Sequence, residues 1–387
     1  RPAVTARYDS AGVPHGREGR VMRIAIVGGS LGGLFAAALL QQAGHTVHVY
    51  ERSRAGLAGR GAGLVPQEDV FATLRLLGLN HLASVGVVAR ERIFLDLAGR
   101  IVDRAATPQL HVSWDHLYTG LRDLVGEENY SVGRLVQRAG QDNGLAWIEF
   151  ADGARAEAEL VIGADGIGSA VRSAVIGGTQ NARYTGYVAW RGLIPENALS
   201  ASAASTLLDR FAFYTAQRTQ ALGYVVPGPR GEIDQGHRRY NWVWYRREAD
   251  LSATLTDREG RVHPFSLAPK QLSNAARSTL RHDAETQLPP QFRDALHAEP
   301  EPFVQAIFDY ETPQMVRGRL ALVGDSAFVA RPHTAMGVAK AAADSLALAE
   351  ALAGAPVEQA LLHYQRERLP VGRAITQYGG RLGDFMA

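Results

Sequence analysis

Apolar residues fall in three short unbroken blocks, RIAIV at 23–27, LVIG at 160–163 and LALV at 320–323, each running into glycine. Blocks of this length between turn formers read as strands buried on both faces, the mark of a parallel sheet. Residues 34–43 are good helix formers closed by Gly44, and HTVHVYE at 45–51 alternates like a half-exposed strand. Strand, glycine turn, helix and strand thus fit the span of one βαβ unit, about 30 residues. Elsewhere the pattern changes. RIFLDLAGRIVDR at 92–104 reads as a hairpin turning at Ala98-Gly99. Between 184 and 247 the runs YTGYVAWRG, RFAFYTA, LGYVVPG and YNWVWYRR are rich in aromatic and β-branched strand formers. Residues 248–300 are more polar and mix helices with loops. Helices are expected at 339–354 and 357–369.

These elements predict an α/β protein. A discontinuous Rossmann-like nucleotide-binding domain comprises 22–90, 106–180 and 301–387, including the C-terminal helices. An antiparallel β-sheet substrate domain, 91–105 and 181–300, is inserted into it. Residues 1–21 are polar, with glycine and proline but no apolar core, and are expected to be a leader or flexible arm, with Met22 a plausible natural start.

The first glycine turn, IVGGSLGG at 26–33, follows G-x-G-x-x-G except that Ser30 holds the middle place. Gly28 would permit the tight turn and Gly33 the close packing of helix on strand. Ser30 would offer a hydroxyl to a phosphate oxygen, and the helix opening at Leu31 would offer free N–H groups and a favourable dipole. Glu51, ending the next strand, stands where an acid would accept hydrogen bonds from ribose.

Composition narrows the chemistry. The 387 residues carry 41 basic and 39 acidic side chains, a net charge of +2, so there is no electrostatic footprint for nucleic acid. The absence of cysteine excludes disulfides, thiolate metal sites and a cysteinyl-linked cofactor. No run of apolar residues is long enough to span a membrane, so a cytoplasmic monomer or homodimer without membrane contact is expected.

Two further motifs, GADGIGSAVR at 163–172 and GRLALVGDSAFVARPHTAMG at 318–337, resemble signatures of the FAD-dependent aromatic hydroxylases, the p-hydroxybenzoate hydroxylase-like monooxygenases. Ser30, RGAGLVPQ at 60–67, TGYVAWRG at 185–192 and RPHTAMGVAKAAADS at 331–345 are closest to the dihydroxypyridine hydroxylase branch, over nearly the whole chain from Met22. The resemblance implies non-covalent FAD, with Asp165 beside the pyrophosphate, Gly324 and Asp325 at the ribityl chain, and Pro332, Ala335, Met336 and Gly337 at the flavin ring. Arg52, Arg60 and Val136 join the implied cofactor contacts. The chain departs from the family at Trp114, Phe328, Ala335 and Ala339, where arginine, histidine, glycine and asparagine are usual.

The implied cycle is reduction of FAD by transiently bound NAD(P)H, addition of O2 to give a C4a-hydroperoxide, and attack on a hydroxylated aromatic or N-heteroaromatic ring. NADH and NADPH are not distinguished. Candidate acid–base residues are His333, Tyr214 and Tyr224, and the expected ring pocket is drawn from Phe211, Phe213, Tyr214, Tyr224, Trp242, Trp244 and Tyr245. Arg191 stands either near the cofactor or in a salt bridge. A flavin-dependent reductase or halogenase of the same fold, or a non-catalytic FAD-binding sensor, are the alternatives; a halogenase would need an early lysine, and none precedes Lys270.

Overall fold

The computed structural model describes residues 21–57 and 63–386. The N-terminal arm up to residue 20 and Arg60 lie outside the described residues. The three apolar blocks lie in one six-stranded sheet. Arg23–Val27 sits at its centre, with Leu160–Gly163 on one side and Thr46–Tyr50 on the other, all parallel. Leu320–Leu322 and Tyr130–Ser131 extend it in parallel, and Val316–Arg317 adds an antiparallel edge. Because the long pairings are parallel, the turns after Val27, Gly163 and Leu322 emerge at one edge, where ligands bind in sheets of this type. Helix Leu31–Gln42 packs between the sheet and helices Trp114–Val125 and Gly337–Gly354.

The second large sheet orders its strands Ser266–Leu267, Phe303–Glu311, Arg183–Pro195, Arg239–Arg247, Thr219–Val226, Arg210–Ala216, Glu91–Leu95 and Ile101–Ala105, with Phe328–Val329 paired to Phe303–Glu311 off that line. The hairpin turn is present at Gly99 with φ +81°. Strand alternation gives this sheet two different faces. One, with Trp190, Trp242 and Trp244, packs into a core with Leu280, Phe292 and Leu296. The opposite face looks toward the nucleotide-binding part.

Two features differ from the sequence reading. Phe303–Glu311, assigned to the nucleotide domain, pairs with Arg183–Pro195 in the large sheet; its apolar alternation outweighs its place in the chain. The last helix also does not stop before Pro370 but runs Val357–Leu382. An interior proline costs about 3 kcal/mol, and tertiary packing offsets it. A Cβ on Gly372 would stand 2.2 Å from the Phe328 ring, so only glycine lets the helix lie this close, and Tyr364 donates to the Leu322 carbonyl at 2.7 Å. Among the described residues no helix is long and apolar enough to cross a membrane.

Candidate functional site

The glycine turn is built as its spacing requires. Gly28 has φ +102°, and a Cβ there would lie 2.3 Å from the Ala164 carbonyl oxygen. A Cβ on Gly33 would lie 1.9 Å from the Gly28 carbonyl oxygen. Ser30 caps helix Leu31–Gln42 in extended backbone, yet its hydroxyl makes no capping bond and so stays available to a ligand. Leu31 is buried, leaving its backbone at the helix start as its contribution. Glu51 is 4% exposed: one carboxylate oxygen accepts from Gly29 N–H at 2.9 Å, the other from Ser53 N–H at 2.8 Å. Both bonds fix the carboxylate beside the turn, with lone pairs to spare for hydroxyl donors.

Tyr130, which sequence reading missed, fastens the same turn. Its hydroxyl donates to the Gly29 carbonyl at 2.9 Å and lies 3.2 Å from the Tyr118 hydroxyl, and burial pushes the phenol pKa well up. No local pattern marks it, since the contact spans 101 positions.

Asp165 lines the smaller cavity together with Gly28 and Ser30. Its carboxylate accepts from the Ser169 hydroxyl at 2.5 Å and the Ala170 N–H at 2.7 Å, bracing Ser169, the N-cap of helix Ala170–Ile176. These bonds brace the turn of Ala164, Asp165 and Gly166, which lines the cavity next to the glycine turn. Gly324, with φ +63°, is buried and donates to Asp344 Oδ2 at 3.0 Å. Asp325 does reach the cavity. The wholly buried Lys340 ammonium lies 3.0 Å from Asp325 Oδ1 and also donates to the Phe328 carbonyl. Asp325 Oδ2 has no partner among the described residues.

The turn at 332–337 brings Pro332, Ala335 and Gly337 to the cavity, while Met336 serves as N-cap of helix Gly337–Gly354 and is not in the wall. Ala335 is left-handed at φ +54°, a conformation that disfavours side chains by about 1–2 kcal/mol. The turn is held from behind by Arg331, whose guanidinium grips Asp309 at 3.0 and 2.9 Å and reaches the Gly380 carbonyl.

Two cavities open at this edge. The smaller, about 570 Å³, is lined by Gly28, Ser30, Glu51, Trp114, Arg134 and Val136 among others. The larger, about 1160 Å³, carries Phe211, Phe213, Tyr224, Tyr245, His333 and Asp325 in its wall. Arg52, Gly63, Leu64, Arg191, Ser266, Gln305 and Val338 line both, so the two are continuous. One extended ligand can therefore lie with phosphates at the glycine turn and a flat group among the aromatics. A dinucleotide with a ring system, such as FAD, fits that shape and donor set.

The expected ring pocket divides by strand alternation. Phe211, Phe213, Tyr224 and Tyr245 face the cavity, whereas Tyr214, Trp242 and Trp244 sit in the core on the other face. Tyr214 is thus withdrawn as an acid–base candidate. Tyr224 stacks on His111 at 4.0 Å and donates its hydroxyl to the Gly63 carbonyl at 3.0 Å, and burial raises its pKa, so it forms wall rather than proton relay. His333 lines the cavity with Nε2 3.0 Å from the Tyr187 hydroxyl. Burial, helped by Arg331 and Arg191, lowers its pKa to about 4. It is therefore neutral near pH 7.

That depression has a consequence for stability. Between pH 6.5 and about 4 the unfolded chain binds a proton at this histidine and the native chain does not, so stability is complete above 6.5 and falls as pH drops. The buried His111, lowered to about 3, acts in the same direction. Thermal melts from pH 7.5 to 4.5 are expected to show a shallower acid limb for His333→Gln than for the parent; equal slopes would contradict the assigned burial effect.

Family models match this chain over residues 26–71, as an NAD(P)-binding Rossmann-like domain, and over 184–309, as FAD binding domain-like. The chain is 35% identical over 330 residues to a 2,6-dihydroxypyridine 3-monooxygenase of Paenarthrobacter nicotinovorans, covering 85% of this chain and 82% of that one. The structure of 2,6-dihydroxypyridine-3-hydroxylase from Arthrobacter nicotinovorans superposes with a TM-score of 0.88 at 32% identity, over 95% of this chain and 93% of the other. A Klebsiella pneumoniae protein solved with FAD and uric acid shares the fold at TM-score 0.75 and 23% identity, over 95% of this chain and 89% of its own.

Proposed function

The chain belongs to the FAD-dependent ring-hydroxylating monooxygenases, and on that footing we propose that its substrate is a hydroxylated N-heteroaromatic ring of the dihydroxypyridine type. The observation that carries this reading is the single continuous cavity, with a phosphate-type glycine turn at one end and Phe211, Phe213, Tyr224 and Tyr245 at the other. Flat apolar walls with few polar groups suit a small aromatic ring. FAD, when bound, passes electrons from NAD(P)H to O2 and supplies the activated oxygen.

The protein's part is binding, orientation and electrostatics. Gly28, Ser30 and the helix starting at Leu31 would hold the pyrophosphate by N–H and hydroxyl donors. Glu51 would accept from ribose and Asp325 from the ribityl chain. The turn at 332–337 opens helix Gly337–Gly354, so its N–H groups and the helix dipole would stabilise negative charge on a ring beside it. Tyr245, Phe211 and Phe213 would exclude water from the ring. Dependence on NAD(P)H fits a cytoplasmic enzyme.

A substrate panel tests the reading. The purified protein is expected to be yellow and to consume O2 with NAD(P)H at least tenfold faster when a hydroxypyridine is added. If hydroxypyridines give no acceleration and phenols do, the heteroaromatic assignment is wrong; if neither class does, the substrate reading fails altogether.

A further inference from the structure

The charge balance of the larger cavity is uneven. Arg191 comes from strand Arg183–Pro195, between Val243 and Phe303 of its two neighbours. Alternation sends Trp190 into the core and Arg191 into the cavity, where it lies at the junction of the two spaces. Its Nε is shielded from solvent without a hydrogen-bond partner, and no ion pair reaches it among the described residues.

Of the other charges, Arg52 also lines both spaces and has no ion pair among the described residues, but it is exposed to solvent. Arg331 is gripped by Asp309, Arg92 donates one terminal N–H to Gln109 although its Nε, like that of Arg191, has no partner, and Asp325, the one acid in the larger cavity's wall among the described residues, lies against Lys340. Glu51 and Asp165 on the smaller side accept from backbone N–H groups. Tyr187, Tyr224, Tyr245 and neutral His333 complete the polar surroundings, and the Arg191 charge is felt at Tyr224, Tyr245 and His333. A guanidinium left unpaired in such a place is unfavourable until an anion joins it. Its planar fork suits an oxyanion on a flat molecule, and aromatic walls strengthen the attraction by lowering the local dielectric.

We propose that Arg191 is the anion anchor of the ring site, holding the substrate by an ionised ring oxygen and so selecting rings that can ionise over those that cannot. The ring O–H bond breaks heterolytically, the proton passes to solvent, and the electron pair stays on the oxygen facing Arg191. That pair enriches the ring carbons that accept the activated oxygen. This proposal rests on the ring-substrate reading above.

The experiment compares FAD-loaded parent, Arg191→Gln and Arg191→Lys proteins, titrated with a hydroxypyridine, its O-methyl ether and nitrate, following the flavin absorption spectrum. FAD affinity of each apoprotein is measured separately. The parent is expected to favour the hydroxypyridine over the ether by about 10- to 100-fold, the range of a charge-assisted hydrogen bond. Arg191→Gln should abolish that preference and nitrate binding, with FAD affinity within threefold of the parent and no fall in melting temperature. Arg191→Lys should keep part of the preference. If hydroxypyridine preference and nitrate binding survive in Arg191→Gln, the anchor is refuted while the ring reading stands. If FAD affinity alone collapses, Arg191 is a cofactor residue and the proposal is overturned. If nitrate binding depends on Arg191 but no ring binds the parent, the anion site stands and the ring reading fails.

Discussion

Replacing Asp325 by alanine is expected to leave a nearly colourless protein. A charge-assisted hydrogen bond to a ribityl hydroxyl is worth about 1.5–3 kcal/mol, roughly 10- to 100-fold in affinity. The same change also strips the Lys340 ammonium, whose side chain is wholly buried, of its carboxylate. Asp325 itself is 55% exposed, so the penalty is discounted to about 1–3 kcal/mol from the value for a fully buried pair. The two effects separate in a double variant. Asp325→Ala with Lys340→Met should regain melting temperature without regaining FAD. Full flavin occupancy in the single variant would remove Asp325 from the cofactor site.

Gly33→Ala is expected to have the larger structural effect. Its new Cβ would meet the Gly28 carbonyl oxygen at 1.9 Å, a main-chain atom that no side-chain rotation can clear. Either the helix retreats or the turn opens, and a displacement of that kind belongs with the exceptional destabilisations, above about 4 kcal/mol. Soluble yield and the ratio of flavin to protein absorbance should both collapse. Ser30→Gly, by contrast, removes a hydroxyl that makes no capping bond, so the fold should survive with FAD affinity lowered by no more than about tenfold. A fully flavinylated Gly33→Ala protein would contradict the packing argument.

Much of the nucleotide end is legible in the sequence because backbone geometry there dictates residue type. A positive φ at Gly28 and a contact too close for any Cβ at Gly33 leave glycine as the solution, and short apolar blocks announce parallel strands. Asp165 lines the cavity and also braces the start of the next helix, a second role that its place after a strand did not announce. In the aromatic insert, alternation separates Phe211 and Phe213 from Tyr214, but only tertiary packing decides which face meets the cavity. Tyr130 and the unpaired state of Arg191 depend on chain segments far away in sequence, so no local pattern could announce them. Pro370 ends a helix by local rule, and the seat of Gly372 on Phe328 overrides it.

Trp114 adds a practical property. It stacks on Tyr118 with ring centroids 5.0 Å apart, and of the five tryptophans it alone lines either cavity. Trp190, Trp242 and Trp244 are in the core and Trp147 lies under Arg155. Ultraviolet emission from this protein therefore contains one component that senses the nucleotide end and four that do not. Filling the smaller cavity should quench that one component, giving an optical readout of occupancy from a residue native to the wall.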